Sequence, residues 1–213
     1  MSSDYRDYDP IQPHGTNWRA AIRRLFGPIV AGAIALAKWT FLLVKAGSIF
    51  IAVGAYALIW GWKFGVGIVA LILLHEMGHF LEAQREGLHP KLPVFVPFLG
   101  AYVQYTRGHP WQTVRVAIAG PIFGGLAALV CYLIGRSQGS QLMLALAYFG
   151  FFLNLFNLIP VGIFDGGAVW RSARWLRLGG GGSKAVAAYV LYFGTAVALV
   201  AGMIAAHVPQ HRL

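Results

Sequence analysis

The chain is short of acid. Of its 213 residues only 7 are Asp or Glu, against 17 Lys or Arg. Asp4, Asp7 and Asp9 lie close to the start, and beyond Glu86 there is a single acid, Asp165. Charged residues of either sign make up 11%, less than half of the roughly 25% typical of a soluble globular domain. That excludes an ordinary soluble enzyme. Cysteine is nearly absent as well. The lone Cys131 lies in an apolar run, so neither a disulfide framework nor a cysteine metal site can be built. What is there instead is apolar: 58% hydrophobic residues and a mean hydropathy of +0.63. This is the composition of an α-helical polytopic membrane protein embedded in a lipid bilayer, and the length suits one domain. The net charge of +10 does not point to nucleic acid, because the basic residues are scattered between apolar segments, as an excess of Lys and Arg in inner loops would place them.

The apolar runs predict about five transmembrane helices, over 39–60, 64–84, 114–134, 141–159 and 185–206. Residues 1–24 read as a tail, disordered at first and then basic and aromatic from Trp18 to Arg24, with no signal-peptide pattern. Residues 25–206 read as one membrane-embedded domain and 207–213 as a C-terminal tail. Within that domain, 25–37 is too short to span and Lys38 interrupts it, so an interfacial or partly inserted helix is expected. Segment 88–105 differs from the rest. Pro90, Pro93 and Pro97 exclude a helix, while its aromatic and β-branched residues favour two short strands turning near 98–102. Open backbone at membrane depth is tolerated only against protein or a wet cavity. This 92–105 hairpin is therefore expected beside a cleft. Gly120 and Gly124 suit close helix packing, Arg171, Arg174 and Arg177 an amphipathic helix, and Gly179 to Ser183 a flexible linker.

Five crossings with the N-terminus inside would leave only Lys63, Arg136 and Arg212 among the basic residues on the outer side. His79 and Asp165 then lie near the cytoplasmic face.

The chemistry concentrates where the second apolar run ends, in His75-Glu76-Met77-Gly78-His79. On a helix, histidines four apart point the same way and can reach one metal, while the Glu beside them can take a proton from water. Ionisable groups at membrane depth cost about 2.5–3.5 kcal/mol each on insertion scales and are read as functional. A catalytic zinc needs three protein ligands and an open position. His14, His89, His109, His207 and His211 lie in tails or loops and read as surface residues. Asp165 is embedded and follows a helix stop at Pro160 and the flexible Gly162, which would free it to turn toward a metal. As an alternative it would cap the next helix, a position Asp favours.

Taken together, these motifs resemble the site-2 protease family of intramembrane zinc metalloproteases, which pairs H-E-x-x-H with a later N-x-x-P-x-P-x-x-D-G-G-like sequence. Here the second motif is Asn157, Pro160 and Asp165-Gly166-Gly167, with Ala119-Gly120-Pro121 between the two. The resemblance covers roughly residues 60–178. It implies one zinc ion per chain held by His75, His79 and Asp165, with Glu76 as general base and acid. Asn157 would steady the carbonyl oxygen in the transition state. The substrate would be a transmembrane protein cut in or near its membrane segment, bound as an added strand on the hairpin, in a prokaryotic cell membrane. Gly162 stands where the family tends to have proline and Phe164 where it often has leucine. The length leaves no room for the family's PDZ or CBS domains. Two other readings compete. A metal transporter would line a path through the spans with further polar groups, and a helix-binding scaffold would tolerate loss of Glu76.

Overall fold

The computed structural model describes residues 18–96, 100–106 and 108–207. The expected tail over residues 1–17, the tip of the hairpin, Arg107, His14 and the end of the chain with His211 lie outside that range. Six helices and one hairpin are described: α1 (Trp18–Trp60), α2 (Trp62–Arg85), β1 (Val94–Val96), β2 (Gly100–Tyr102), α3 (Pro110–Gln138), α4 (Gln141–Asn157), α5 (Asp165–Leu178) and α6 (Gly182–Ala206).

The described residues up to Leu43 form one compact unit and those from Val44 onward a second. The first is helical from Trp18, earlier than the sequence led us to expect, and the helix runs on through Pro28 and Lys38. Trp18, Leu25, Ile29 and Leu36 are exposed along it. A lysine side chain long enough to reach the interface need not interrupt a helix.

In the second unit α3 is the central element, packing on α2, α4, α5 and α6. Its start is well specified: Pro110 occupies the first turn, and His109 and Gln112 form a reciprocal capping box. Its end is Gly139 in the left-handed region at φ 65°. Ser140 then caps α4 by accepting from the Met143 N–H. A link that short makes α3 and α4 antiparallel neighbours. Small residues let the helices approach closely. A Cβ on Gly78 would stand 2.5 Å from the Ala119 carbonyl oxygen, and one on Gly150 would stand 2.9 Å from the Ala128 Cβ. At the C-terminal end of α2, Arg115 of α3 reaches Glu82 at 2.6 Å and Glu86 at 2.5 Å. One guanidinium thereby pairs both acids and ties the helices together.

The surface is apolar where a soluble protein would be polar. On α6, Val186, Val190, Phe193, Val197 and Ile204 are exposed, whereas Ala185, Ala188 and Ala206 are buried. Large apolar residues left exposed along one face suit a helix turned to lipid, while Tyr192 and Leu199 join the alanines on the buried face. The chain is a membrane protein. Among the described residues three helices are long and apolar enough to cross by themselves, namely α2, α3 and α6. Gly47–Trp60 and α4 are apolar but shorter. The sequence suggested a fourth span reaching 159, but α4 stops at Asn157 after 17 residues. At 1.5 Å per residue that covers about 25 Å of a roughly 30 Å hydrocarbon core.

An antiparallel hairpin forms, with Val94 opposite Tyr102 and Phe95 opposite Ala101; Gly100–Tyr102, expected in the turn, is instead its second strand, because its backbone pairs with 94–96. Its pairing continues outward through Lys91 N–H to Gln104 C=O at 2.8 Å and Thr106 N–H to Leu88 C=O at 2.9 Å. The glycine run after α5 is an ordered turn, and no linker. The Gly181 N–H closes on the Leu176 carbonyl at 2.8 Å, Gly180 takes φ 80°, and α6 begins at Gly182.

Candidate metal centre

His75 and His79 lie one turn apart on α2, both buried, with ring centroids 4.8 Å apart. Asp165 arrives from the opposite side as the first residue of α5. It does not cap that helix: the cap position is Phe164, and no side chain caps the first turn. Two features bring it there. The Tyr192 hydroxyl of α6 donates to the Leu158 carbonyl at 2.6 Å, pinning the segment that leaves α4. Gly166 then lets α5 press against that segment, since a Cβ on it would stand 2.0 Å from the Leu158 oxygen. Gly162 turns the loop at φ 56°. Proline, locked near −65°, could not adopt that angle, which accounts for glycine at this position.

The three side chains meet at one point. Asp165 Oδ2 is 3.2 Å from His75 Nε2, Asp165 Oδ1 is 3.3 Å from His79 Nε2, and the two Nε2 atoms are 3.1 Å apart. Donors around a zinc ion at bond lengths of about 2.0–2.1 Å lie about 3.3–3.4 Å apart along the edges of a tetrahedron. The spacing fits.

The hydrogen bonds behind the rings fit too. His79 Nδ1 is 2.8 Å from the Val116 carbonyl, which can only accept, so that nitrogen carries the hydrogen. His75 Nδ1 is 2.7 Å from Asn154 Oδ1, while Asn154 Nδ2 donates to the Gly150 carbonyl at 2.7 Å. That second bond orients the amide and makes His75 Nδ1 a donor as well. Neutral rings so held turn two bare Nε2 lone pairs toward a carboxylate, an arrangement that calls for a cation. Gly120 makes room for the rings: a Cβ there would stand 2.3 Å from His79 Nε2 and 2.9 Å from His75 Nε2.

Profile comparison matches peptidase family M50 over residues 63–143 and 136–201. The chain belongs to peptidase family M50, the site-2 protease family. A protein of Synechocystis sp. that carries a zinc-metalloprotease name is 34% identical over 125 residues, 54% of this chain and 33% of the relative. One of Mycobacterium tuberculosis, Rip3, also named so, is 30% identical over 156 residues, 66% of this chain and 39% of its own. A zinc metalloprotease of Methanocaldococcus jannaschii is 25% identical over 138 residues, 62% of this chain and 40% of its own. The chain thus spans between a third and two fifths of the length of these relatives. No solved structure matches at a significant level.

The M50 match encloses every residue of the cluster. Glu76 lies beside it, 5% exposed, and its Oε2 has no hydrogen-bond partner among the described residues. The Val103 backbone amide, just after β2, reaches its carboxylate. Two residues further on, burial raises the Tyr105 phenol above its ordinary pKa and the Asp165 charge adds to this. Glu76, His75 and Asn157 open on a cavity of about 320 Å³. Its other walls are Ala101 of β2 and a set of aromatics that includes Phe152, Phe156 and Phe164. Asn157 donates to the Leu153 carbonyl at 3.2 Å, which leaves its second N–H for the cavity. Among the remaining histidines, His89, His109 and His207 are exposed and away from the cluster, and His109 is spent on its helix cap.

Sequence reasoning missed Asn154, which is fully buried behind His75. Its signal was a second amide in the last turn of an apolar helix, three residues before Asn157, where burial is costly unless a partner is waiting.

Proposed function

We propose that this chain is an intramembrane zinc metalloprotease that cleaves transmembrane or membrane-proximal segments of membrane proteins. The observation that carries the reading is the convergence of His75, His79 and Asp165 on one point, with Glu76 beside them on the rim of a cavity. His75, His79 and Asp165 would hold zinc, which when bound supplies Lewis acidity and lowers the pKa of a water to about 7. Glu76 accepts the proton of the attacking water and returns it to the leaving amine. Asn157 directs its second N–H at the carbonyl oxygen, where loss of one such donor costs about 2.7–4 kcal/mol. The aromatic walls exclude bulk water and receive apolar side chains.

A substrate helix must unwind before its peptide bonds can be attacked. The hairpin offers a template for the unwound strand, and Ala101 of β2 in the cavity wall supports that role. In the membrane we take Gly47–Trp60 and α4 as crossings alongside α2, α3 and α6, shorter because they lean on neighbours within the bundle. The N-terminus and the active-site end of the bundle then face the cytoplasm of a prokaryotic cell.

The test is a search for the substrate. Membrane proteins of cells carrying wild-type chain are compared with those of cells carrying Glu76→Gln, which keeps the side-chain volume and removes the basicity. A membrane protein should accumulate uncut in the variant and be cut by purified wild-type protein. Identical membrane proteomes, together with equal cleavage of any purified candidate, would defeat the reading.

A further inference from the structure

We propose that Asn154 is a positioning residue for the metal centre, acting through His75, and that Gly124 is there to make room for it. This rests on the zinc reading above and adds a residue to it. The two histidines are held differently. The partner of His79 is a main-chain carbonyl, Val116, which no side-chain substitution at that position removes. The partner of His75 is the side chain of Asn154, and Asn154 is in turn fixed by the Gly150 carbonyl one turn earlier on α4. Turning the amide over would set its oxygen against the Gly150 oxygen at 2.7 Å, acceptor against acceptor. One orientation survives, and it commits His75 to carrying its hydrogen on Nδ1 and its lone pair on Nε2, toward Asp165 and His79.

The neighbouring helix is shaped to allow this. A Cβ on Gly124 would stand 2.1 Å from Asn154 Oδ1 and 2.6 Å from its Nδ2. No larger residue leaves the amide where it is. Gly120 and Gly124, one turn apart on α3, thus have separate tasks: the first clears the ligand rings, and the second clears the residue that orients one of them. Asn154 touches neither substrate nor metal in this arrangement. Removing such an outer partner of a ligating histidine typically lowers metal affinity about 10–100-fold.

The experiment measures zinc affinity of the full chain in detergent by competition with a chromophoric chelator, for wild type, Asn154→Leu and Asn154→Asp. Asn154→Leu keeps the approximate volume but offers no acceptor, and Asn154→Asp keeps the acceptor. Nitrogen NMR of ¹⁵N-histidine-labelled apo-protein reports the tautomers directly. The expected result is a 10–100-fold loss of affinity in Asn154→Leu, with His75 losing its fixed Nδ1–H signature while His79 keeps its own. Asn154→Asp keeps the acceptor toward His75 Nδ1 but sets its second oxygen against the Gly150 carbonyl, so its loss should be smaller than that of Asn154→Leu without reaching wild type. Gly124→Ala should resemble Asn154→Leu. Where Asn154→Leu does not fold, Asn154→Ala, which leaves a gap and no clash, takes its place. Wild-type affinity in the variants lacking the acceptor, or equal losses in Asn154→Leu and Asn154→Asp, would overturn the positioning role alone. Wild-type protein that binds no zinc would overturn it together with the metal reading beneath it.

Discussion

The two sides of the His75–His79 pair are built from opposite materials. Toward α3 the site is walled by glycine and main chain: Gly78 against Ala119, Gly120 against both rings, and the Val116 carbonyl on His79. Toward the cavity it is walled by large rings, with Phe156 and Phe164 edge to face at 5.0 Å, and by the two polar groups Glu76 and Asn157. On the first side atoms approach so closely that no side chain could intervene, which fixes the ligands to a fraction of an ångström. On the second side volume is kept for something to enter. In the proposed function, holding a metal and admitting a peptide would make contrary demands on packing, and the two walls would answer them on different faces of one helix.

Substitutions can break this comparison, and their expected effects differ in size. The largest should come from Gly120→Val. Its side chain would occupy the space of both imidazoles, so zinc binding should be abolished as measured by metal content, and overpacking should cost a further 1–3 kcal/mol or so of stability. On the cavity side Phe156→Ala should leave zinc content unchanged. Its effect, read as kcat/KM for a purified substrate, should be a loss of about tenfold with a shift toward bulkier residues near the cut. Tyr192→Phe removes one hydrogen bond to the Leu158 carbonyl and nothing else. A loss of about 0.5–1.5 kcal/mol in thermal unfolding is expected, with a weaker hold on Asp165 visible as faster zinc exchange. His109→Ala should cost about 1 kcal/mol through its lost cap, and zinc should be unaffected because His109 is a capping residue far from the cluster. If His109→Ala lowered zinc as Gly120→Val does, the division between wall and cavity would fail.

What could be read from the sequence follows the same division. His75, Glu76, His79 and Asp165 stood out because ionisable groups are expensive in an apolar chain, and the structure brings the three donors together. The hairpin stood out because prolines forbid a helix over 88–105, and its two strands pair, the second lying where the turn was expected. Gly120 and Gly124 could be recognised as small, but what they make room for could not, since that depends on where rings from two other helices lie. Asn154 was hidden for the same reason: an amide declares its role only through its partners, and these are 79 residues away and one turn back. The glycine run after α5 misled by composition, because flexibility inferred from Gly179 to Ser183 ignores the closing bond to Leu176. Helix length was overestimated at 159 because hydropathy continues past Asn157, where α4 ends and the Leu158 and Ile159 N–H groups close back only three residues, on the Leu155 and Phe156 carbonyls.

The account stands most directly on which residues hold the metal and which one only acts beside it. Zinc content of purified protein should be measured by elemental analysis for wild type, His75→Ala, His79→Ala, Asp165→Ala and Glu76→Gln. About one zinc per chain is expected in wild type, as for any single three-ligand site, with the same amount in Glu76→Gln and little in the other three. Undiminished zinc in Asp165→Ala, or its loss in Glu76→Gln, would contradict the account.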